Sequence, residues 1–518
     1  MKKLCFFVFV VLIFSMLFSV SLSAPQPKNG GTIKIALSGQ VPPLDPVTAD
    51  DTMSRQILHS VLEGLIVQNE NYEVIPMLAK SWDISDDGKV CTFYLREGVQ
   101  FQKGYGEMTA EDVIASINRA KKYSTNKNGL DQIKELNAKD KYTVIIKLEG
   151  NPSVLLNRLA VEKAPIAIMP MEVIEDVPAR ELTDDQIIGT GPYQLAEWKR
   201  DQYLLLERFE DYTPFEGMPM SGRGGHKIAY ADQLKFTAIT EMGARLAGLK
   251  TGQFDFVQSL GPDMYEQIAS DPNLEPELVK SGRFVVTIFN TVNGPMADLN
   301  LRRAIQVGMD CREILEGVQG DENLYELNGS IYRTFQPWYT EAGLEYYNEN
   351  NLEKAKKLIE KYGYKGREIT IATTKDLAFV YDASIVLYSQ LGKMGLNPQL
   401  KIYDWPTLLD KFFKDWTGWD LTFTGISSVR DDPLNYYTQF NGTWSYKSEK
   451  MEEIFKKLRE TTDHEKRLKL NEEFQEFVMT DIPLYNTGLI YFLDGRSSSL
   501  KGYKAYGNMI RFWNVWKE

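Results

Sequence analysis

Short runs rich in β-branched and aromatic residues alternate with amphipathic segments along nearly the whole chain. This alternation restricts the fold more than any other feature. TIKIAL, CTFYLR, YTVIIKL, YLLLERF, QLKFTAI, FVVTIFN, EITIAT, PQLKIY and WDLTFTG all read as strands bounded by turn formers. In DISDDGKV the pair Asp87-Gly88 marks a hairpin turn. Between these runs the segments carry helix punctuation. Thr109 with Asp112 three residues on forms a capping-box pattern, and Val113, Ile117 and Ala120 share one face of the helix it opens. Thr240, Asp298 and Asn351 open further helices, Gly252 and Gly363 close two of them, and residues 446–479 read as two helices broken around Thr462-Asp463. The expectation is an α/β protein. A chain of 518 residues is long enough for two or three domains, each with its own core. No Ser/Pro-rich hinge separates them, so domains joined along several crossing strands fit the pattern.

The first residues stand outside this pattern. Lys2 and Lys3 precede the apolar run LCFFVFVVLIFSMLF, and small residues follow in SVSLSA. This reads as a signal peptide over residues 1–24, cut near Ser23 or Ala24, with the mature protein periplasmic or secreted. Cys5 lies inside the apolar run rather than at its end, so no lipid anchor is expected. The two remaining cysteines, Cys91 and Cys311, make no disulfide framework for a chain of this size; they could pair, but buried free thiols are favoured. The formal net charge of −12 argues against nucleic acid as a partner, since phosphate binding needs clustered Lys and Arg.

Catalytic and cofactor signatures are missing from the sequence. There is no Walker loop, no G-x-G-x-x-G and no G-x-S-x-G elbow, and none of the three histidines, His59, His226 and His464, sits in a ligand motif. No catalytic residue, metal or cofactor is expected. The adjacent carboxylates Asp431 and Asp432 keep a secreted glycoside hydrolase open as a reading of a different class, although neighbours on an extended loop point apart. What remains is recognition chemistry. Trp338, Tyr346, Tyr347, Trp405, Trp416, Trp419, Tyr436, Tyr437 and Trp444 crowd the C-terminal half, and aromatic rings suit both a core and a ligand cleft.

The run from Glu73 to Ala120, EVIPMLAKSWDISDDGKVCTFYLREGVQFQKGYGEMTAEDVIASINRA, resembles the signature of the family 5 extracellular solute-binding proteins, the peptide, nickel and oligosaccharide receptors of ABC importers. Further resemblances follow in family order: IGTGPYQLAEWKRDQYLLLERFEDY, LAGLKTGQFDFV, FNTVNGPMADLNLRRAIQVGMD, NNLEKAKKLIEKYGY and WDLTFTGISSVRDDP. The loop QFQKGYGEMTA departs from the family's usual Phe-His/Ser-Asp-Gly. The resemblance implies a type II-like binding-protein fold, two hinged lobes with an additional small domain. Domain I would be discontinuous (28–70, 187–288 and 484–518), domain II would span 71–186 and domain III 289–483. It also implies a monomer that holds a peptide or peptide-like small molecule between domains I and III and hands it to permease subunits. An oligosaccharide is the alternative ligand on the same scaffold, and nickel a weaker one.

The resemblance further implies ligand contacts from Gln40, Asn290, Trp405, Ser427, Ser428, Arg430, Asp431 and Tyr485. In peptide-binding members an aspartate three residues before the Asp-Pro of the last loop receives the peptide's amino group. The matching position here is Val429, which offers only methyl groups. Arg430 beside it would favour an anionic ligand group if it faces the cleft, and would merely pair with Asp431 or Asp432 if it faces solvent.

Overall fold

The computed structural model describes residues 26–427 except 128 and 162, the single residues 433, 434, 436 and 446, and residues 448–518 except 462 and 508. The signal-peptide reading and the expectations for Ser428, Val429, Arg430, Asp431 and Asp432 therefore fall outside the described residues.

Two long strands, Leu274–Phe289 and Leu484–Ser497, pair antiparallel and run through the whole molecule. From this pair eight further strands of an eleven-stranded sheet extend in two directions, and the short strand Tyr325–Glu326 pairs beside Leu484–Ser497. The strand Phe256–Leu260 attaches to the end of Leu484–Ser497, followed outward by Thr32–Leu37, Gln233–Ala238, Tyr203–Arg208 and Tyr193–Lys199. At the other end Leu421–Ser427 attaches to Leu274–Phe289, followed by Glu368–Thr374 and Asn397–Tyr403. Two large cores result. One gathers residues from Ile33 to Phe256 with Leu500 to Val515, and the other runs from Phe284 to Ile490. They are called here the N-terminal and C-terminal lobes.

Local chemistry explains why the first long strand survives its own sequence. Pro276 lacks an N–H, but at that point the strand pairs only with Leu484–Ser497, through Gly495, so its other edge needs no donor. The register slips between Val279 and Arg283. There Gly282 lies against the Ile490 carbonyl so closely that a Cβ would overlap its oxygen. The bulge kinks the pair midway between the lobes.

A separate four-stranded antiparallel sheet, in the order Ala79–Ile84, Val90–Leu95, Thr143–Leu148, Ile133–Asp140, belongs to the N-terminal lobe. The Asp87-Gly88 turn links its first two strands. Asp87 accepts from the Ser85 hydroxyl at 2.6 Å and Gly88 takes φ 70°. Helix Ala110–Tyr123 carries the expected capping box, with the Thr109 N–H donating to Asp112 at 2.8 Å, and it buries Val113, Ile117 and Ala120. Its Arg119 makes two 2.8 Å bonds to the buried Asp45, tying the helix to the loop after Thr32–Leu37. Asp298 and Asn351 cap helices as expected, Asp463 lies at the expected break and caps the helix after it, and Gly363 closes Leu352–Tyr362 in the left-handed conformation. Thr240 does not cap; the helix Met242–Lys250 begins one residue later, after Glu241.

Cys91 and Cys311 are free and buried. Burial pushes their thiols up to about 11 and about 12, which leaves both inert. Among the described residues no helix is long and apolar enough to cross a membrane.

Candidate functional site: the crevice between the lobes

In the N-terminal lobe Thr32–Leu37 runs parallel to Gln233–Ala238 and Phe256–Leu260. Their carboxyl ends therefore lie together, and Leu260 reaches the long pair at Leu493. In the C-terminal lobe Glu368–Thr374 runs parallel to Asn397–Tyr403 and Leu421–Ser427. That set ends where Ser427 meets Arg283, which in turn faces Ile490. Both lobes thus aim the carboxyl ends of their parallel strands at one short stretch of the crossing pair, about the Val279–Arg283 bulge. Open α/β sheets bind ligands in the crevice beyond those ends. A cavity of about 520 Å³ opens there, lined by Glu277, Lys280 and Ser281 of the crossing strand, Tyr72 and Tyr506 from the N-terminal lobe, and Arg333 and Phe335 from the C-terminal lobe. Tyr72 and Phe335 stack across it, ring centroids 6.0 Å apart.

The expected site residues divide by which end of the strands they occupy. Gln40 is exposed three residues past Leu37. Trp405 starts the helix Trp405–Phe413 two residues past Tyr403; it is half-buried, and its N–H donates at 2.7 Å to Asp376, itself two residues past Thr374. Ser427 is exposed at the end of its strand. These three share the crevice rim.

Asn290 and Tyr485 do not. They lie at the opposite end of the C-terminal lobe's strands, inside its core. The Asn290 amide donates to the Trp416 and Trp419 carbonyls at 2.9 Å each, and its oxygen accepts from the N–H groups of Val292 and Asn293. Tyr485 is fully enclosed, with its hydroxyl accepting from the Asn348 N–H at 2.6 Å. Burial holds that phenol well above its ordinary range. Their hydrogen-bonding capacity goes to closing loops around the core, which leaves little for a solute.

Sequence reading missed Arg283. It is half-buried on the crossing strand opposite Ser427, its guanidinium carbon 4.8 Å from the Phe379 ring centre and 5.5 Å from that of Phe492. Burial holds its pKa below the usual arginine value. The signal for it was a lone cation opening an apolar run, in SGRFVVTIFN, together with the glycine that ends WDLTFTG. Gly425 leaves the space that the Arg283 side chain crosses, for a Cβ there would overlap Arg283 Cδ.

Two α/β lobes, joined by crossing strands and facing each other across a crevice, make up the architecture of a two-lobed binding protein. The chain belongs to the bacterial extracellular solute-binding proteins, family 5, whose model matches residues 73–448. It is 27% identical over 409 residues to the probable peptide ABC transporter periplasmic-binding protein y4tO of Sinorhizobium fredii, covering 77% of this chain and 76% of that protein. It is 24% identical over 520 residues to the oligopeptide-binding protein AppA of Bacillus subtilis, covering 94% and 91%. Its fold matches the crystal structure of the ABC transporter substrate-binding protein CtaP from Listeria monocytogenes with a TM-score of 0.82 at 22% identity, over 95% of this chain and 100% of that one. The family consists of substrate-binding transport proteins, which carry solutes and do not transform them.

Proposed function

We propose that this protein captures a peptide or peptide-like small molecule in the crevice between its lobes and delivers it to the permease of an ABC importer. The observation that carries the reading is the convergence of both lobes' parallel strand ends on one bulge in the strands that join them. A solute touching both rims lowers the free energy of the closed form relative to the open one, and the permease reads the closed form. The peptide class is supported by the names of the relatives y4tO and AppA. Within this reading domain I comprises 28–70, 187–288 and 484–518, domain II 71–186 and domain III 289–483. Gln40, Trp405 and Ser427 contact the solute from the rims. The mature chain begins near Ser23 or Ala24 and carries no lipid; intact-mass analysis of the exported protein tests this directly.

The function is tested by releasing whatever co-purifies with the protein and identifying it by mass spectrometry, followed by thermal-shift titration with peptides of two to nine residues. Peptides in the released fraction, and melting points raised by added peptide, are the expected results. A released oligosaccharide, with no response to any peptide, would overturn the peptide reading and leave the receptor intact.

A further inference from the structure

Among the described residues the buried arginines are tied down by acceptors. Arg96 donates to the carbonyls of Thr213 and Pro214, Arg119 to Asp45, Arg245 to Ile239 and Thr240, and Arg302 to Met296 and Ala297. Even Arg333, beside the interlobe cavity, donates to the Lys280 carbonyl and lies 3.6 Å from Glu326. Arg283 differs from all of these. Among the described residues its side chain has no hydrogen bond and no ion pair; it lies against the rings of Phe379 and Phe492.

Rings attract the cation but accept none of its five in-plane N–H donors. The guanidinium is only half-buried and water reaches its donors, so an arriving acceptor displaces water from a fork that no hydrogen bond within the described residues occupies. Its position is informative too. Arg283 is the first residue beyond the bulge, at the carboxyl end of Leu421–Ser427. Phe379 belongs to the C-terminal lobe's helix Ala378–Lys393, while Phe492 lies on the half of its strand that runs into the N-terminal lobe. Gly425 keeps the path of the side chain open.

We propose that Arg283 grips an anionic group of the captured solute, a carboxylate taken edge-on by the guanidinium fork. This assignment rests on the crevice being the solute site. With the Phe379 and Phe492 rings beside the guanidinium carbon, the fork can bind through its edge, the geometry that matches a carboxylate with two parallel hydrogen bonds. The anion would sit beside the bulge about which the lobes turn, so charge neutralisation and closure would be one event.

The test uses the full-length mature protein and two probe sets, tri- to pentapeptides as free acids and as C-terminal amides, and citrate and succinate. Each is titrated calorimetrically into wild type, Arg283→Gln, Arg283→Lys and Gly425→Ala. Wild type should prefer the free acid over the amide by roughly 10- to 100-fold, the worth of one or two charge-assisted hydrogen bonds. Arg283→Gln should bind both forms equally, Arg283→Lys should keep part of the preference, and Gly425→Ala should lose it by displacing the guanidinium with its charge intact. Without ligand, Arg283→Gln should melt close to wild type, since the substitution loses the two ring contacts but no side-chain hydrogen bond or ion pair. If Arg283→Gln discriminates acid from amide as strongly as wild type, the proposal falls while the peptide reading stands. If no peptide binds wild type, the peptide reading falls and the carboxylates decide: citrate or succinate binding that Arg283→Gln abolishes sustains the proposal, and no binding, or binding unaffected by the substitution, ends it.

Discussion

At the scale of single residues, the polar groups that matter most lie on the crossing strands, where local sequence says least about surroundings. Arg283 and Asp494 each stand at one end of an apolar run on their strand, and a one-dimensional pattern cannot tell whether such a charge meets water, a partner or neither. Asp494 is wholly buried, and its carboxylate accepts from the Ser259 N–H at 2.7 Å. Burial pushes its carboxyl up to about 7; nearby Glu277 adds to the rise and Arg245 opposes it. The folded protein therefore keeps a proton that the unfolded chain releases near pH 4. Stability from this group is fully present below about pH 4 and is lost as pH rises through about pH 7. Asp494→Asn should remove that dependence. Its stability relative to wild type should be higher at about pH 8 than at about pH 4, by about 1–4 kcal/mol, read by urea unfolding at both values. A difference that does not change with pH would show that Asp494 is ionised in the fold. By contrast, Asn290 and Tyr485 were legible as polar residues at strand ends, but at which end could not be told without the pairing.

The elements divide in the same way. What is local was legible: the Asp87-Gly88 hairpin, the Thr109 capping box, the caps at Asp298 and Asn351, and the break between Glu449–Glu460 and His464–Asp481. Each depends on residues within one turn of one another. The sequence around FVVTIFN marks only the C-terminal half of the strand Leu274–Phe289. The preceding LEPELVKSGR, with its proline, charges and glycine, reads as loop, because its strand character comes from a partner more than two hundred residues away in the chain. Helix Ala378–Lys393 is equally hard to read, for it mixes apolar residues on several faces. The bulge in the crossing pair can be tested at this scale. Gly282 meets backbone, the Ile490 carbonyl, whereas Gly425 meets a flexible side chain. Gly282→Ala must force the two strands apart and should cost about 1–3 kcal/mol, the usual range for overpacking. Gly425→Ala should cost clearly less. Equal losses in chemical denaturation would mean that the strands separate freely at the bulge and that Gly282 is not what holds them close.

For the whole molecule, the α/β class, the multi-domain size and the lack of catalytic motifs came from the sequence, and the family resemblance supplied the idea of a hinged trap. The crevice itself emerges only once the two sets of parallel strands are laid against the crossing pair. Closure then becomes a question of how strongly the lobes hold each other without solute. The Tyr72–Phe335 stack is a direct contact between them, and Arg333 lies over the same Phe335 ring at 4.7 Å. A ring pair of this kind contributes about 0.5–1.5 kcal/mol beyond the area it buries. If it favours the closed form, Phe335→Ala should lower the closed population of the solute-free protein, and the apparent affinity should fall by the same factor because the competent fraction is smaller. Small-angle scattering should show a smaller radius of gyration for wild type with saturating solute than without. The solute-free variant should have a radius at least as large as solute-free wild type, and its saturated form should match saturated wild type. Scattering curves unchanged by saturating solute would refute hinged closure. A variant that closes normally but binds about tenfold more weakly would move Phe335 from the hinge equilibrium to the solute contact itself.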